Sequence, residues 1–326
     1  MNSLGVTVLV TGGAGFIGSH VVERLLESPK VGKVIVVDNF FLGKEENLST
    51  ATKGGKVTVY RLDASNLQAM QDVAIENEVD MVIDMAVIPL ITSLKFPQIT
   101  VETNISIATT WCELLRVGHI KRLVHVSSSE TYGTAQYIPM DESHPHAAIT
   151  PYAASKAAAD QIVQSYVRTF GLDAVIIRPF NNFGPRQNSG SYAGVIPIVI
   201  GKIAAGLPIE VFGDGDQTRD FSFVRDTARA IVDLAFSQTI AGEAYNIATG
   251  VEITVNSLIE RISNVMRVPN HPVQHLKERP GDVRRHCAGV QLSASLLGYS
   301  LPPLSDSQLL ETVDFYMDTN LDLAPK

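Results

Sequence analysis

Residues 6–38 leave this chain little freedom. Val6–Val10 is a short, continuous apolar run, the pattern of a parallel strand buried on both faces. It leads directly into Thr11-Gly12-Gly13-Ala14-Gly15-Phe16-Ile17-Gly18. Apolar residues at helical spacing then come at Val21, Val22, Leu25 and Leu26. Glycines at 12, 15 and 18 permit a tight turn, close approach of backbone to a pyrophosphate, and close packing of helix on strand. A second strand, Lys33–Val37, ends at Asp38, twenty residues after Gly18. A carboxylate there binds the ribose hydroxyls of an adenosine and repels a 2′-phosphate, so the expected cofactor is NAD rather than NADP. The contacts expected from this segment are Gly12, Gly15, Phe16, Ile17, Gly18, Asp38 and Asn39.

The alternation continues. A strand at Val57–Tyr60 leads to Asp63 and Ala64, and a helix runs from about Asn66 to Glu76. Val79–Ile83 is the next strand, and the small or flexible Met85 and Ala86 at its end suit contact with a dinucleotide. A helix over 98–117 precedes a strand at Arg122–Val126, and Ala174–Arg178 is a further strand. Strands alternating with helices predict an α/β fold with a Rossmann-like, doubly wound parallel sheet. After Pro179 the glycines and prolines come closer together. The domain boundary is therefore expected at 180/181: a dinucleotide-binding domain over 1–180, and a smaller C-terminal α/β substrate lobe over 181–326 from which some segments return to the first.

The candidate chemistry lies in Thr150-Pro151-Tyr152-Ala153-Ala154-Ser155-Lys156. Thr150 can cap a helix and Pro151 suits its first turn. Tyr152 and Lys156, four apart, share one face of that helix. A nearby cation and the positive end of the helix dipole both favour a phenolate, which can take a proton from an alcohol. The helix is expected to run to Phe170 and stop at Gly171.

Exclusions come from composition. A net charge of −8 argues against non-specific nucleic-acid binding. The longest later apolar stretch, Val195–Ala205, is short and contains Lys202, so no membrane span is expected. No leader peptide is expected either, since Val6–Val10 leads into glycines. Cys112 and Cys287 show neither disulfide nor metal spacing, so the expectation is a reducing cytoplasm and no metal. His144, His146 and His275 lack partner spacing and read as surface or packing residues.

Five motifs occur together in order: TGGAGFIG at 11–18, SSSETYG at 127–133, YAASK at 152–156, RPFNNFGPR at 178–186 and QTRDFSFVRD at 217–226. With these the chain resembles an extended short-chain dehydrogenase/reductase of the sugar-nucleotide epimerase/dehydratase type, from the glycine turn to Arg279-Pro280-Gly281-Asp282. The resemblance implies an NAD lobe, a lobe binding a nucleoside-diphosphate sugar, and a homodimer formed through the helices near 98–117 and 151–170. It implies that Tyr152 deprotonates the sugar 4-hydroxyl, that Lys156 lowers the tyrosine pKa and holds the nicotinamide ribose, and that Ser128 hydrogen-bonds the same hydroxyl. Asn181 would contact the sugar nucleotide, and Arg219 and Arg279 would clamp its diphosphate. A 4-keto sugar would be the shared intermediate.

The fate of that intermediate rests on Ser128-Ser129-Glu130. Related dehydratases and decarboxylases carry a catalytic Glu at the place of Glu130, where it can take the C5 proton. Simple 4-epimerases have a small or hydroxyl residue. Ser129 stands where dTDP-glucose dehydratases resemble Thr-Asp-Glu, whereas GDP-mannose-type dehydratases and UDP-glucuronate decarboxylases resemble Thr-Ser-Glu. The decarboxylases' Arg-Lys-Pro segment reads His286-Cys287-Ala288-Gly289 here. Arg186 could hold a uronate carboxylate. The expected order is 4,6-dehydratase, then 4-epimerase of a UDP-hexose, UDP-N-acetylhexosamine or UDP-glucuronate, then decarboxylase, with a silent NAD-binding sensor as the non-enzymatic alternative.

Overall fold

A computed structural model describes residues 5–278 and 283–319. The first lobe begins with β1 (Val6–Thr11), α1 (Phe16–Glu27), β2 (Val31–Asp38), β3 (Val57–Arg61) and α2 (Leu67–Glu76). It continues with β4 (Met81–Asp84), α3 (Leu90–Lys95), α4 (Pro97–Arg116), β5 (Arg122–Val126), α5 (Pro151–Phe170) and β6 (Ala174–Pro179). The local chemistry is that of the sequence. Thr150 accepts a hydrogen bond from the Ala153 amide at 3.1 Å, Pro151 opens α5, and Gly171 closes it in the left-handed region.

The second lobe contains β7 (Asn181–Phe183), α6 (Val195–Ala204), β8 (Ile209–Phe212) and β9 (Thr218–Phe223). The chain then passes through α7 (Val224–Ala235) and β10 (Ala244–Ile247) before β11 (Glu252–Thr254), α8 (Val255–Val265), β12 (Val273–Leu276), α9 (Gln291–Leu297) and α10 (Asp306–Asp318).

Seven strands form one sheet in the order β10-β6-β5-β4-β1-β2-β3, every pair parallel. Such a sheet needs cover on both faces. On one face Val21, Val22 and Leu25 of α1 share a core with Ala228, Ile231 and Leu234 of α7. On the other, Met70 of α2, Ile107 and Trp111 of α4 and Val163 of α5 pack against Leu9, Ile35 and Val82. A separate core around Phe183, Ile200, Phe223, Leu258 and Tyr316 holds the second lobe.

Several segments beyond 180 pack with the first lobe. β10 adds to the edge of the sheet beside β6, α7 covers α1, and Leu296, Leu297 and Tyr299 pack on the same core. β10 thereby extends the parallel sheet by one strand, with α9 packed beside it. The texture change after Pro179 marks where the chain leaves the first lobe, and no comparable composition signal marks its return.

Strand order reverses between β1 and β4, and the crevice outside the carboxyl ends of these strands is where this topology binds ligands. Thr11 stitches that point together. Its hydroxyl donates to Asp84 Oδ1 at 2.8 Å and accepts from the Met85 and Ala86 amides at 2.8 and 2.9 Å.

Candidate active site

A cavity of about 580 Å³ opens at that reversal. The glycine turn forms its floor. Gly12 has φ +63°, and a Cβ on it would stand 3.0 Å from the Met85 carbonyl oxygen. A Cβ on Gly18 would stand 2.2 Å from the Gly12 carbonyl oxygen, so helix α1 can approach the turn only with glycine there. At the start of α1 no side chain caps the helix and no acidic residue occupies the first turn. Its free amides and positive dipole end fit an anionic pyrophosphate.

Of the expected cofactor contacts, Gly12, Gly15, Phe16, Ile17, Gly18, Asp38, Asn39, Asp63, Ala64, Met85 and Ala86 all line the cavity, as do Ser128, Tyr152 and Lys156. Asp38 is buried and already engaged: Oδ2 accepts from the Ala14 amide at 3.0 Å and Oδ1 from the Phe40 amide at 2.7 Å. It therefore shapes the turn as well as facing the cavity. Burial raises its pKa, against those two hydrogen bonds. In Gly18→Ala the overlap must be relieved by shifting the turn, at about 1–3 kcal/mol. Calorimetric titration should find NAD bound about tenfold or more weakly; unchanged affinity would show that the cofactor does not use this turn.

The Tyr152–Lys156 pairing differs from the sequence expectation. Lys156 is buried, and its ammonium donates to the Val126 carbonyl at 2.8 Å and lies 3.4 Å from His125 Nε2. It makes no hydrogen bond to Tyr152. Burial lowers the Lys156 pKa, while the Asp84 and Asp160 carboxylates hold it up. Tyr152 is pushed up to about 12, by burial first. The Ser128 side chain lowers it by hydrogen bonding, and the Glu130 and Asp160 charges raise it. Desolvation and the Glu130 and Asp160 charges thus outweigh the Ser128 hydrogen bond and favour the neutral phenol.

Ser129, Glu130, Asn181 and Arg219 do not line the cavity. They form a neighbouring group on the side of the second lobe, joined to the cavity through Tyr152. Glu130 sits in a single 3₁₀ turn, Ser129–Tyr132, which Ser128 caps by accepting from the Glu130 amide at 3.2 Å. Burial raises the Glu130 pKa and the Arg219 guanidinium draws it back. Ser129 is buried, and its backbone hydrogen-bonds His286. The Asn181 amide reaches the Asp220 carbonyl at 3.4 Å and His286 Nδ1 at 3.3 Å. Its neighbour Asn182 lines the cavity instead, since adjacent residues of β7 face opposite ways. Arg219 donates to the Thr218 and Val283 carbonyls at 2.8 and 2.6 Å.

Arg186 stands apart from this group. It pairs with Glu23 of α1 at 2.5 Å, has φ +69°, and is absent from the cavity wall. The backbone turn after Gly184-Pro185 carries it away from the cavity wall. Arg279 lies outside the described residues.

Several site residues carry no clear signal in the sequence. His286 is buried against Phe180 with ring centroids 4.8 Å apart, and burial beside Arg219 lowers its pKa to about 4. His125 and Asp84 lie behind Lys156, and Asp160 pairs with Arg178 at 2.9 Å in the core. His144, expected at the surface or in packing, is fully buried beside Tyr132 and Tyr137. The only sequence sign of the Asp84–His125 pair is two polar residues inside apolar strands.

Among the described residues no group fits a metal ion, and no helix is long and apolar enough to cross a membrane. Residues 8–248 match the family described as NAD dependent epimerase/dehydratase. A putative UDP-glucose 4-epimerase of Methanocaldococcus jannaschii is 32% identical over 89% of this chain and 92% of its own. A dTDP-glucose 4,6-dehydratase of Actinoplanes sp. is 33% identical over 95% and 97%. Among solved structures, the dTDP-glucose 4,6-dehydratase DesIV of Streptomyces venezuelae, with NAD and TYD bound, superposes with a TM-score of 0.89 at 30% identity, covering 97% of this chain and 98% of that one. The UDP-N-acetylglucosamine 4-epimerase of Methanobrevibacter ruminantium, in complex with UDP-N-acetylmuramic acid, gives 0.88 at 32%, covering 97% and 99%.

Proposed function

The chain belongs to the NAD-dependent epimerase/dehydratase family, and from that premise we propose that it is a nucleoside-diphosphate-sugar 4,6-dehydratase. The observation that carries this reading is the position of Glu130, a partly buried carboxyl beside Tyr152 and Arg219. Inversion at C4 requires no such group, whereas elimination across C5 and C6 requires a base there.

Bound NAD⁺ supplies the two-electron oxidant for C4 and a positive charge beside Tyr152. Tyr152, at the start of α5, then takes the C4 hydroxyl proton while Ser128 holds the same oxygen. The lowering of its pKa from about 12 falls to that charge, to Lys156 and to the helix dipole. Once C4 is a ketone, the C5–H bond is acidified. Glu130 removes that proton, the C5–H electron pair becomes the C5–C6 double bond, and the C6–O bond breaks. Glu130 delivers its new proton to the departing hydroxyl, which leaves as water. The reducing equivalent taken from C4 returns to C6, and C5 takes a proton from solvent. The proton held by Tyr152 returns to solvent, so the balance closes as loss of one water. Arg219 and Arg279 are assigned to the diphosphate, and Asn181 with His286 to the sugar-nucleotide side.

A second reading, a 4-epimerase, is supported by Ser129, which leaves the site with a single acid–base carboxylate. A decarboxylase or glucuronate epimerase is disfavoured by Arg186, committed to Glu23. Mass spectrometry of products from a panel of nucleoside-diphosphate sugars separates them. Loss of one water, with one deuteron at C5 in D₂O, is expected; unchanged mass with altered chromatography would make the protein an epimerase, and loss of carbon dioxide a decarboxylase.

We infer further that the protein is a cytoplasmic homodimer joined through α4 and α5. The exposed apolar residues Phe96 and Phe170 at the ends of these helices, and the unpaired cysteines, support this. Sedimentation of the purified protein as a monomer would overturn the dimer.

A further inference from the structure

Lys156 belongs to a closed set of ionisable groups whose other members the proposed reaction does not use. Asp84 closes β4, His125 lies in β5, and Lys156 and Asp160 come from successive turns of α5. All four are at most 4% exposed. Thr11 of β1 donates to Asp84 Oδ1 at 2.8 Å, and His125 Nδ1 lies 2.9 Å from Asp84 Oδ2. A carboxylate acceptor at Nδ1 places the ring proton there and leaves Nε2 as a lone pair. That lone pair faces the Lys156 ammonium at 3.4 Å. Asp160 Oδ1 stands 3.8 Å from the same Nε2 and makes no hydrogen bond, while its Oδ2 pairs with Arg178 of β6 at 2.9 Å. From α4 the Cys112 thiol faces Asp84, and burial pushes it up to about 12, so it stays neutral.

The geometry points to His125 as a positioning residue for Lys156, with the Asp84–His125 pair orienting the ammonium and accepting one of its protons in a hydrogen bond. This rests on the proposed role of Lys156. The ammonium has three N–H bonds. Val126 and His125 take two, and the third is thereby directed at the cavity, which Lys156 lines. An ammonium with Nε2 removed has one buried acceptor fewer. It then titrates at lower pH, and Tyr152 loses its cation over more of the alkaline range.

Two variants separate the two ends of the ring. Asn at 125 reproduces the Nδ1 side, which meets Asp84, and leaves nothing at Nε2. Gln reaches the Nε2 position, where its carbonyl can accept from Lys156. With the substrate found in the product screen, His125→Asn is expected to lower kcat about ten- to a hundredfold. KM should change little, and the alkaline limb of the kcat profile should move to lower pH. His125→Gln should recover most of the rate and restore the limb. Equal rates and unshifted profiles in both variants would overturn the proposal, as would Asn outperforming Gln. Nitrogen NMR of the imidazole in the unaltered protein provides a check independent of either variant's folding: a protonated Nδ1 and an unprotonated Nε2 are expected, and the opposite tautomer sinks the assignment. Lys156→Met distinguishes the premise. If it retains full turnover, the role of Lys156 fails; if it is inactive while His125→Asn is unaffected, only the role of His125 fails.

Discussion

Tyr152→Phe is expected to leave the protein folded and able to bind NAD while turnover falls by about 10²- to 10⁴-fold, the usual range for losing a positioned general base. The loss should appear in kcat, because the hydroxyl acts on a proton that moves only in the transition state. Folding should survive, since the ring is retained and Ser128 keeps its other hydrogen bond, to the Glu130 amide. Burial and the Glu130 and Asp160 charges push Tyr152 up to about 12, and this sets the sign of the pH dependence. The base is the deprotonated form, so the rate should rise with pH until Tyr152 has titrated. Its apparent pKa in the complex should lie below 12 by whatever the bound cation, Lys156 and the helix dipole contribute. A Phe variant with undiminished turnover would remove Tyr152 from the mechanism.

Much of the fold is legible because its strands are continuous apolar runs and its helices carry their own end signals. Thr150, Pro151 and Gly171 fix both ends of α5, and Gly12, Gly15 and Gly18 fix the dinucleotide turn. The features that escape depend on long-range pairing. β10, four residues long, joins β6 across more than sixty residues of intervening chain. His125 and Asp84 meet because β4 and β5 are neighbours, and their order in the sheet is not written in either strand. The orientation of Lys156 is hidden for a related reason. Helical spacing places it on the face of Tyr152, yet a long flexible side chain goes to the acceptors it finds, here Val126 and His125. Arg186 reads as an accessible loop arginine until α1 is laid beside it with Glu23 in reach.

Glu130→Gln should separate the two halves of the reaction. The amide is nearly the shape of the acid and cannot take a proton from carbon, so loss of water is expected to slow by about 10²- to 10⁴-fold. Oxidation at C4 does not involve this residue, so the ultraviolet absorbance of reduced cofactor should build up on adding substrate, and deuterium should no longer enter C5 in D₂O. The unaltered enzyme should also show an acidic limb that the variant lacks. Burial raises the Glu130 pKa above the ordinary glutamate value, and Arg219 only partly offsets it. The active base is the carboxylate, so the elimination rate should fall as pH drops through that raised value. The neutral amide has nothing to titrate there, so the limb must vanish with the carboxyl. A substrate that is only epimerised, at a rate Glu130→Gln leaves intact, would mean that this carboxyl is structural and that the chain inverts C4 without eliminating water.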